Sequence, residues 1–197
     1  MDYSADGTAA TEYTADGIQT LRNSLNGPKV LLAYMSVGEA ENCRFYWQDP
    51  WEVGDPSWLD AENPNWEGNY KARYYEEEWR RLIFDNTDRL IAAGFDGAYL
   101  DIIDACQYFI ELGVPDQGAS DDRDESPAQR TADLVAAVAA HARTDAPDFL
   151  ILSHNAPELA SMVMKYLDQV DGTVQEDIYY GYDEDDVGTP TSVYRRT

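Results

Sequence analysis

The chain has 197 residues, enough for one core and too few for two ordinary domains, so residues 1–197 read as a single domain. Its 38 acidic residues against 14 basic ones give a formal charge of −24, which repels phosphate backbones and excludes nucleic acid as a partner. With 44% hydrophobic and 12% aromatic residues it is too apolar for disorder, yet no stretch of 18 consecutive apolar residues offers a membrane span.

The acids are spread along the whole chain, as on a halophile-like solvated surface. The cluster Ser120 to Glu125 (SDDRDE) lacks the turn glycine of a calcium loop. Two cysteines, Cys43 and Cys106, make neither a zinc site nor a disulfide framework. Both follow neighbouring strands, which brings them toward disulfide range. The opening residues, Met1 to Gly7, carry no basic or apolar region and read as no signal peptide.

The first helix is expected over Thr14 to Asn26, with Ile18, Leu21 and Leu25 at helical spacing and Gly27-Pro28 stopping it. Val30 to Ser36 reads as a buried strand. A long connection, roughly Val37 to Asn69, follows and holds Glu39, Glu41, Arg44, Tyr46, Trp47, Trp51, Trp58 and Trp66. A loop of this length in a compact domain is usually functional. Its aromatic faces suit stacking on sugar rings or, equally, a local lid core. Tyr75, Trp79, Leu82, Ile83, Leu90 and Ile91 mark one face of a long helix that ends at Gly94.

Ala98 to Ile103 is then an apolar run of strand length broken once, by Asp101. A run apolar on both faces suits a buried parallel strand, where a carboxylate is costly without partners or a task. Asp101 therefore either works at a site or caps the next loop. A second long loop is expected from Cys106 to Glu125. Ser126-Pro127 opens a helix with Leu134, Val135, Val138 and Ala142 inward and His141 at the edge of that face, an ordinary surface histidine. Phe149 to Ser153 is the next strand and ends at His154-Asn155. Pro157 opens a helix with Leu159, Met162, Val163, Tyr166 and Leu167 inward, and Gly172 to Ile178 is a further strand.

Strands alternating with helices imply βαβ units and a parallel sheet. Polar residues gather after each strand: Ser36 to Glu39, Asp101 with Asp104, His154-Asn155, and Glu176-Asp177. That asymmetry points to an α/β fold of (β/α)8 TIM-barrel type with its site on the C-terminal face. Neither G-x-G-x-x-G nor G-x-x-x-x-G-K-[ST] occurs, so a nucleotide fold has no support, and no cofactor or metal is expected.

Five stretches, spread in order over nearly the whole chain, carry a resemblance. They are Asp2-Tyr3-Ser4, Val30 to Trp47 (VLLAYMSVGEAENCRFYW), Gly94 to Ala105 (GFDGAYLDIIDA), Asn155 to Leu159 (NAPEL) and Asp171 to Tyr180 (DGTVQEDIYY). Together they resemble the endo-α-1,4-polygalactosaminidase family, glycoside hydrolase family 114. The resemblance implies a TIM-type barrel that cleaves α-1,4-linked galactosamine-rich polysaccharide with retention, secreted or extracellular. It implies Asp101 as nucleophile and Glu176 as general acid/base. Glycoside hydrolysis needs such a pair of carboxylates, about 5–5.5 Å apart for retention.

Around the pair the expected substrate-binding residues are Tyr34, Ser36, Glu39, Arg44, Tyr46 and Trp47, then Asp104, Asn155 and Tyr180. Arg44 pairs with a site carboxylate or within its loop. Asn155 bonds a sugar hydroxyl or caps the helix at Pro157. Tyr34 and Tyr180 are site residues or plain core and rim aromatics. Against the family pattern the first strand, most of the second, and the seventh and eighth are missing, so an incomplete barrel is expected. Its edges, Val30 to Ser36 and Gly172 to Ile178, would be unpaired and prone to self-association, with an Asp2-Tyr3 stub beside the first. The alternative to an enzyme is thus a non-catalytic carbohydrate-binding remnant of the same family.

Overall fold

The computed structural model describes residues 1–113 and 126–176. The first helix, α1 (Ala15–Arg22), starts at Thr14, whose hydroxyl accepts from the Gly17 N–H at 3.2 Å, and it buries Ile18. The expected strand is β1 (Leu32–Ser36). The connection after it contains β2 (Glu39–Glu41), β3 (Leu59–Glu62) and β4 (Asn69–Ala72), which form a small antiparallel sheet in the order β2-β4-β3. The sequence reading of one long loop is corrected here. These strands are three or four residues long and polar, so their pairing comes from contacts across the chain and not from a local pattern.

The long helix is α2 (Glu77–Ala93), and Gly94 closes it in the left-handed region at φ 87°, its N–H bonded to the last turn. Next comes β5 (Gly97–Asp101). The segment after it is a second correction, since α3 (Ala105–Glu111) occupies the start of the expected loop. Ser126 caps α4 (Pro127–Asp145) through a bond from the Gln129 N–H at 3.2 Å. Then follow β6 (Leu150–His154), the short α5 (Leu159–Met162) and β7 (Gly172–Val174). In the segment beginning at Pro157, Leu159, Val163 and Tyr166 are buried as expected, but Met162 and Leu167 are 53% and 54% exposed. The helix is a single turn there and cannot hold one face inward.

The four-stranded sheet runs β1-β5-β6-β7 with every neighbour parallel. Helices cover one face. Ala33, Met35, Ala98, Leu100 and Ile151 point into that covered core with Trp79, Ile83, Leu90 and Phe109. The other face carries Tyr34, Tyr99 and Leu152, only half buried. Among the described residues the sheet does not close, so the fold is an open arc of a TIM-type barrel. The backbone of Met1 lies beside the outer edge of β1, donating to Leu32 O at 3.0 Å and accepting from the Tyr34 N–H at 2.7 Å. None of the described helices is long and apolar enough to cross a membrane.

Candidate active site

Parallel, in-register pairing sets a row of side chains across the C-terminal ends of the strands. Ser36 stands opposite Asp101, and His154 opposite Val174. Asp101 and His154 meet directly: Nδ1 of the ring lies 2.7 Å from Oδ1 of the carboxylate. The other ring nitrogen, Nε2, lies 3.3 Å from Oε2 of Glu176, two residues beyond β7. One imidazole thus stands between the two carboxylates. Tyr34 stands in the next layer down, where the charge of Asp101 acts on it. Burial, then the charges of Glu41 and Asp101, drive the Tyr34 phenol far above its ordinary pKa, so it remains a donor.

The backbone around this row is forced. Ile102, directly after Asp101, sits at φ 56°, and Asn155 and Ala156, directly after His154, at 58° and 51°. A β-branched residue in that region is an outlier, and strain of this kind gathers at working sites. Asn155 does not cap the next helix, whose N-cap is Glu158. Its Nδ2 donates to Glu176 Oε1 at 3.1 Å, and its Oδ1 accepts from the Glu176 N–H at 3.3 Å and from Gln175 at 3.1 Å. It fastens Glu176 to the end of β6. Gly38 explains how the β1 end comes so close: a Cβ there would stand 2.3 Å from the Ile102 carbonyl oxygen.

The opposite flank of Asp101 is built by the small antiparallel sheet. Arg44 forks between Asp2, at 2.7 Å, and Glu41, at 2.6 Å, so its expected partner among site carboxylates is not Asp101 but these two. Burial opposes the Arg44 charge, but the two carboxylates outweigh it and raise its pKa. Burial pushes Glu41 above the usual carboxylate range, against the pull of Arg44 and with the charges of Asp2 and Asp101. Asp104 is raised likewise, first by burial and then by Asp101. Glu39 is 1% exposed and accepts from Asn63 at 2.8 Å and from Lys71. Ser36 Oγ donates to the Glu39 carbonyl at 2.9 Å, and the buried Tyr46 hydroxyl accepts from the Glu41 N–H.

The tryptophans divide. Trp58 is fully buried and packs on Trp79 with ring centroids 4.9 Å apart. Trp47 is half buried, stacked on Tyr70 at 5.1 Å and edge-on to Trp51. Trp66 is 56% exposed. A cavity of about 790 Å³ runs along the uncovered sheet face beside Tyr34, Tyr99, Glu41 and Arg44 and out past Val30 and Leu32.

Of the residues expected at the site, Asp101, Glu176, Tyr34, Asp104 and Asn155 gather around the strand ends. Arg44 reaches them through Glu41. Ser36, Glu39 and Tyr46 serve the turn and the small sheet, Trp47 lies in that sheet's aromatic stack, and Tyr180 falls outside the described residues. Sequence reasoning left out His154 as a site residue, although it closes a strand just as Asp101 does. It also gave Glu41 no role, for want of a signal separating it from Glu39. Cys43 is exposed and Cys106 buried, and both are free thiols, so the two form no disulfide. His141 is a surface histidine as expected, stacked on Phe84 at 4.5 Å and 2.7 Å from Asp88. Among the described residues no cluster of His, Cys, Asp or Glu is arranged to hold a metal.

Comparison with known proteins places this geometry. The model of glycoside-hydrolase family GH114 matches residues 3–194. An uncharacterized protein of Thermotoga maritima is 34% identical over 181 residues, 91% of this chain and 53% of that relative, so the chain spans about half the length of the curated relative it matches. The glycoside hydrolase domain of PelA from Pseudomonas aeruginosa superposes with a TM-score of 0.61 at 18% identity, covering 94% of this chain and 65% of the other. Aspergillus fumigatus Ega3, solved in complex with galactosamine, does so with a TM-score of 0.58 at 21% identity, covering 84% and 56%. At these identities the two structures speak for the fold.

Proposed function

We propose that this chain, which belongs to glycoside-hydrolase family GH114, carries the catalytic machinery for cleaving α-1,4-linked, galactosamine-rich polysaccharide with retention. Asp101 is the nucleophile and Glu176 the general acid/base. The observation that carries the reading is the pair of carboxylates at the ends of β5 and β7, joined through the histidine that ends β6 between them. Asp101 is mostly buried and bonded to His154, which holds it aligned for attack on the anomeric carbon. Glu176 is 52% exposed and held by Asn155, reachable by a leaving oxygen and then by water. In the first step Glu176 gives its proton to the glycosidic oxygen while Asp101 forms the glycosyl ester. In the second, water attacks that ester and returns a proton to Glu176.

The galactosamine bound to Ega3 supports the choice of sugar. The formal charge of −24 suits a substrate bearing free amines. A reducing-end assay on galactosamine polymers tests the reading. Turnover that disappears in Asp101→Asn and Glu176→Gln supports it, and turnover near the parent's in either variant removes that residue from the mechanism. The cavity beside β1 favours a second reading, a carbohydrate-binding arc without turnover. Calorimetry with a galactosamine oligosaccharide separates the two, since that reading keeps binding and yields no reducing ends.

A further inference from the structure

The two-carboxylate scheme gives His154 no task, yet its ring touches both carboxylates. Its side chain is 9% exposed, fixed by the end of β6 and packed against Tyr99 at 5.0 Å. A neutral imidazole has one donor nitrogen and one acceptor. An ionised carboxylate only accepts, so the 2.7 Å contact with Asp101 commits the ring proton to Nδ1. We propose that His154 is the positioning residue of the pair: its Nδ1–H is fixed on Asp101, which leaves Nε2 to exchange one proton with Glu176. This rests on the roles given above to Asp101 and Glu176.

The proton count closes. Asp101, His154 and Glu176 together hold two protons, one on Nδ1 and one shared between Nε2 and Glu176. With the shared proton on Glu176 the ring is neutral and accepts from the carboxyl O–H. With it on Nε2 the ring is an imidazolium between two carboxylates. The net charge of the three is −1 in both arrangements. When Glu176 gives its proton to the glycosidic oxygen, the ring keeps Nδ1–H on Asp101 until the ester forms. When water attacks, its proton goes to Glu176 and the first arrangement returns. His154 ends the cycle as it began. The 3.3 Å contact to Glu176 is long for a hydrogen bond, as catalytic contacts in free enzymes often are, and shortens when substrate excludes water. The other titratable groups facing this cluster are Tyr99 against the ring, and Tyr34, Glu41 and Asp104, which interact with Asp101 through space. Arg44 and Lys71 are tied to Asp2, Glu41 and Glu39.

The chain has two histidines, so a His141→Gln variant assigns the His154 ring in a nitrogen–proton correlation spectrum. Recorded where the ring is neutral, the parent chain should show the Nδ1–H tautomer. Glu176→Gln should keep it, and Asp101→Ala, which removes the acceptor, should turn it to Nε2–H, toward Glu176. An Nε2–H tautomer in the parent, or a tautomer unchanged in Asp101→Ala, overturns the proposal. Should Asp101→Ala fail to fold, the parent tautomer decides alone. Kinetically, His154→Ala should lower kcat about 100-fold with KM within about threefold. His154→Asn, whose amide N–H stands near the place of Nδ1–H, should recover part of it. Equal losses in both variants would reduce His154 to packing and overturn the proposal. The tautomer is read without turnover, so an inactive chain would refute the roles of the carboxylates and leave this result standing.

Discussion

Asp101 has two flanks, and they are built differently. On one side the small antiparallel sheet brings Glu39, Glu41 and Asp2 against Lys71 and Arg44. The side chains of Glu39 and Arg44 are 1% and 7% exposed, and every carboxylate there is engaged with a cation. On the other side Glu176 stands 52% exposed beyond a three-residue edge strand, held by an amide and a histidine. The first flank is a frame: a charge bonded to a buried cation is too costly to separate from it to enter chemistry. The second is open to solvent, and no Lys or Arg holds its carboxylate among the described residues. Acidic residues crowd both flanks, and what separates support from reaction is whether the carboxylate's partners are cations or exchangeable donors.

The contrast breaks most sharply at the reacting pair. Asp101→Asn or Glu176→Gln should lower kcat in the reducing-end assay by about 10²–10⁴-fold, since in the proposed mechanism each group transfers a proton or bonds the sugar in the slow steps. Melting temperatures should stay near the parent's. A large drop in melting temperature with modest loss of rate would place these residues in the frame.

The frame should answer in the opposite way. Arg44→Met removes the cation from a buried fork and leaves Glu41 and Asp2 unpaired, a loss of about 3–5 kcal/mol. Thermal or urea unfolding would register it as a clear destabilisation. A variant as stable as the parent would mean that the fork is an ordinary surface pair. Trp58→Ala, which empties a fully buried site, should cost a similar amount, about 3–5 kcal/mol. Trp66→Ala, at a 56% exposed site, should stay within about 0.5 kcal/mol of the parent. Its loss should appear in oligosaccharide binding, measured by calorimetry. Unchanged binding would remove Trp66 from the substrate surface.

Smallest is the pH effect of Asp104, which joins the two flanks. Its folded pKa is raised, by burial and then by Asp101, so the folded chain binds its proton more tightly than the unfolded chain does. The stability it contributes is therefore fully present below the unfolded carboxylate range and lost as pH rises through the raised folded value. Asp104→Asn, which cannot ionise, should flatten the fall in melting temperature across that window. A parallel profile, shifted but no flatter, would mean that Asp104 is solvated.

The order of strands and helices was legible in the chain because its signals are local. Thr14, Ser126-Pro127 and Gly94 mark helix ends through bonds within four residues, and the apolar runs of β1, β5 and β6 are buried wherever the chain goes. Asp101 showed for the same reason, as the one charge in such a run. The small sheet did not show: short polar strands have no period of their own, and β2 finds β4 only across the intervening loop. Nor did the fates of the acids. Glu39, Glu41 and Asp104 read alike in sequence, and Asp101 showed without its partner: Glu39 meets a lysine 32 residues away and Asp101 a histidine 53 residues away. Burial and partners at that range decide whether a carboxylate is locked in an ion pair or left to exchange a proton, and only the folded chain brings those partners together.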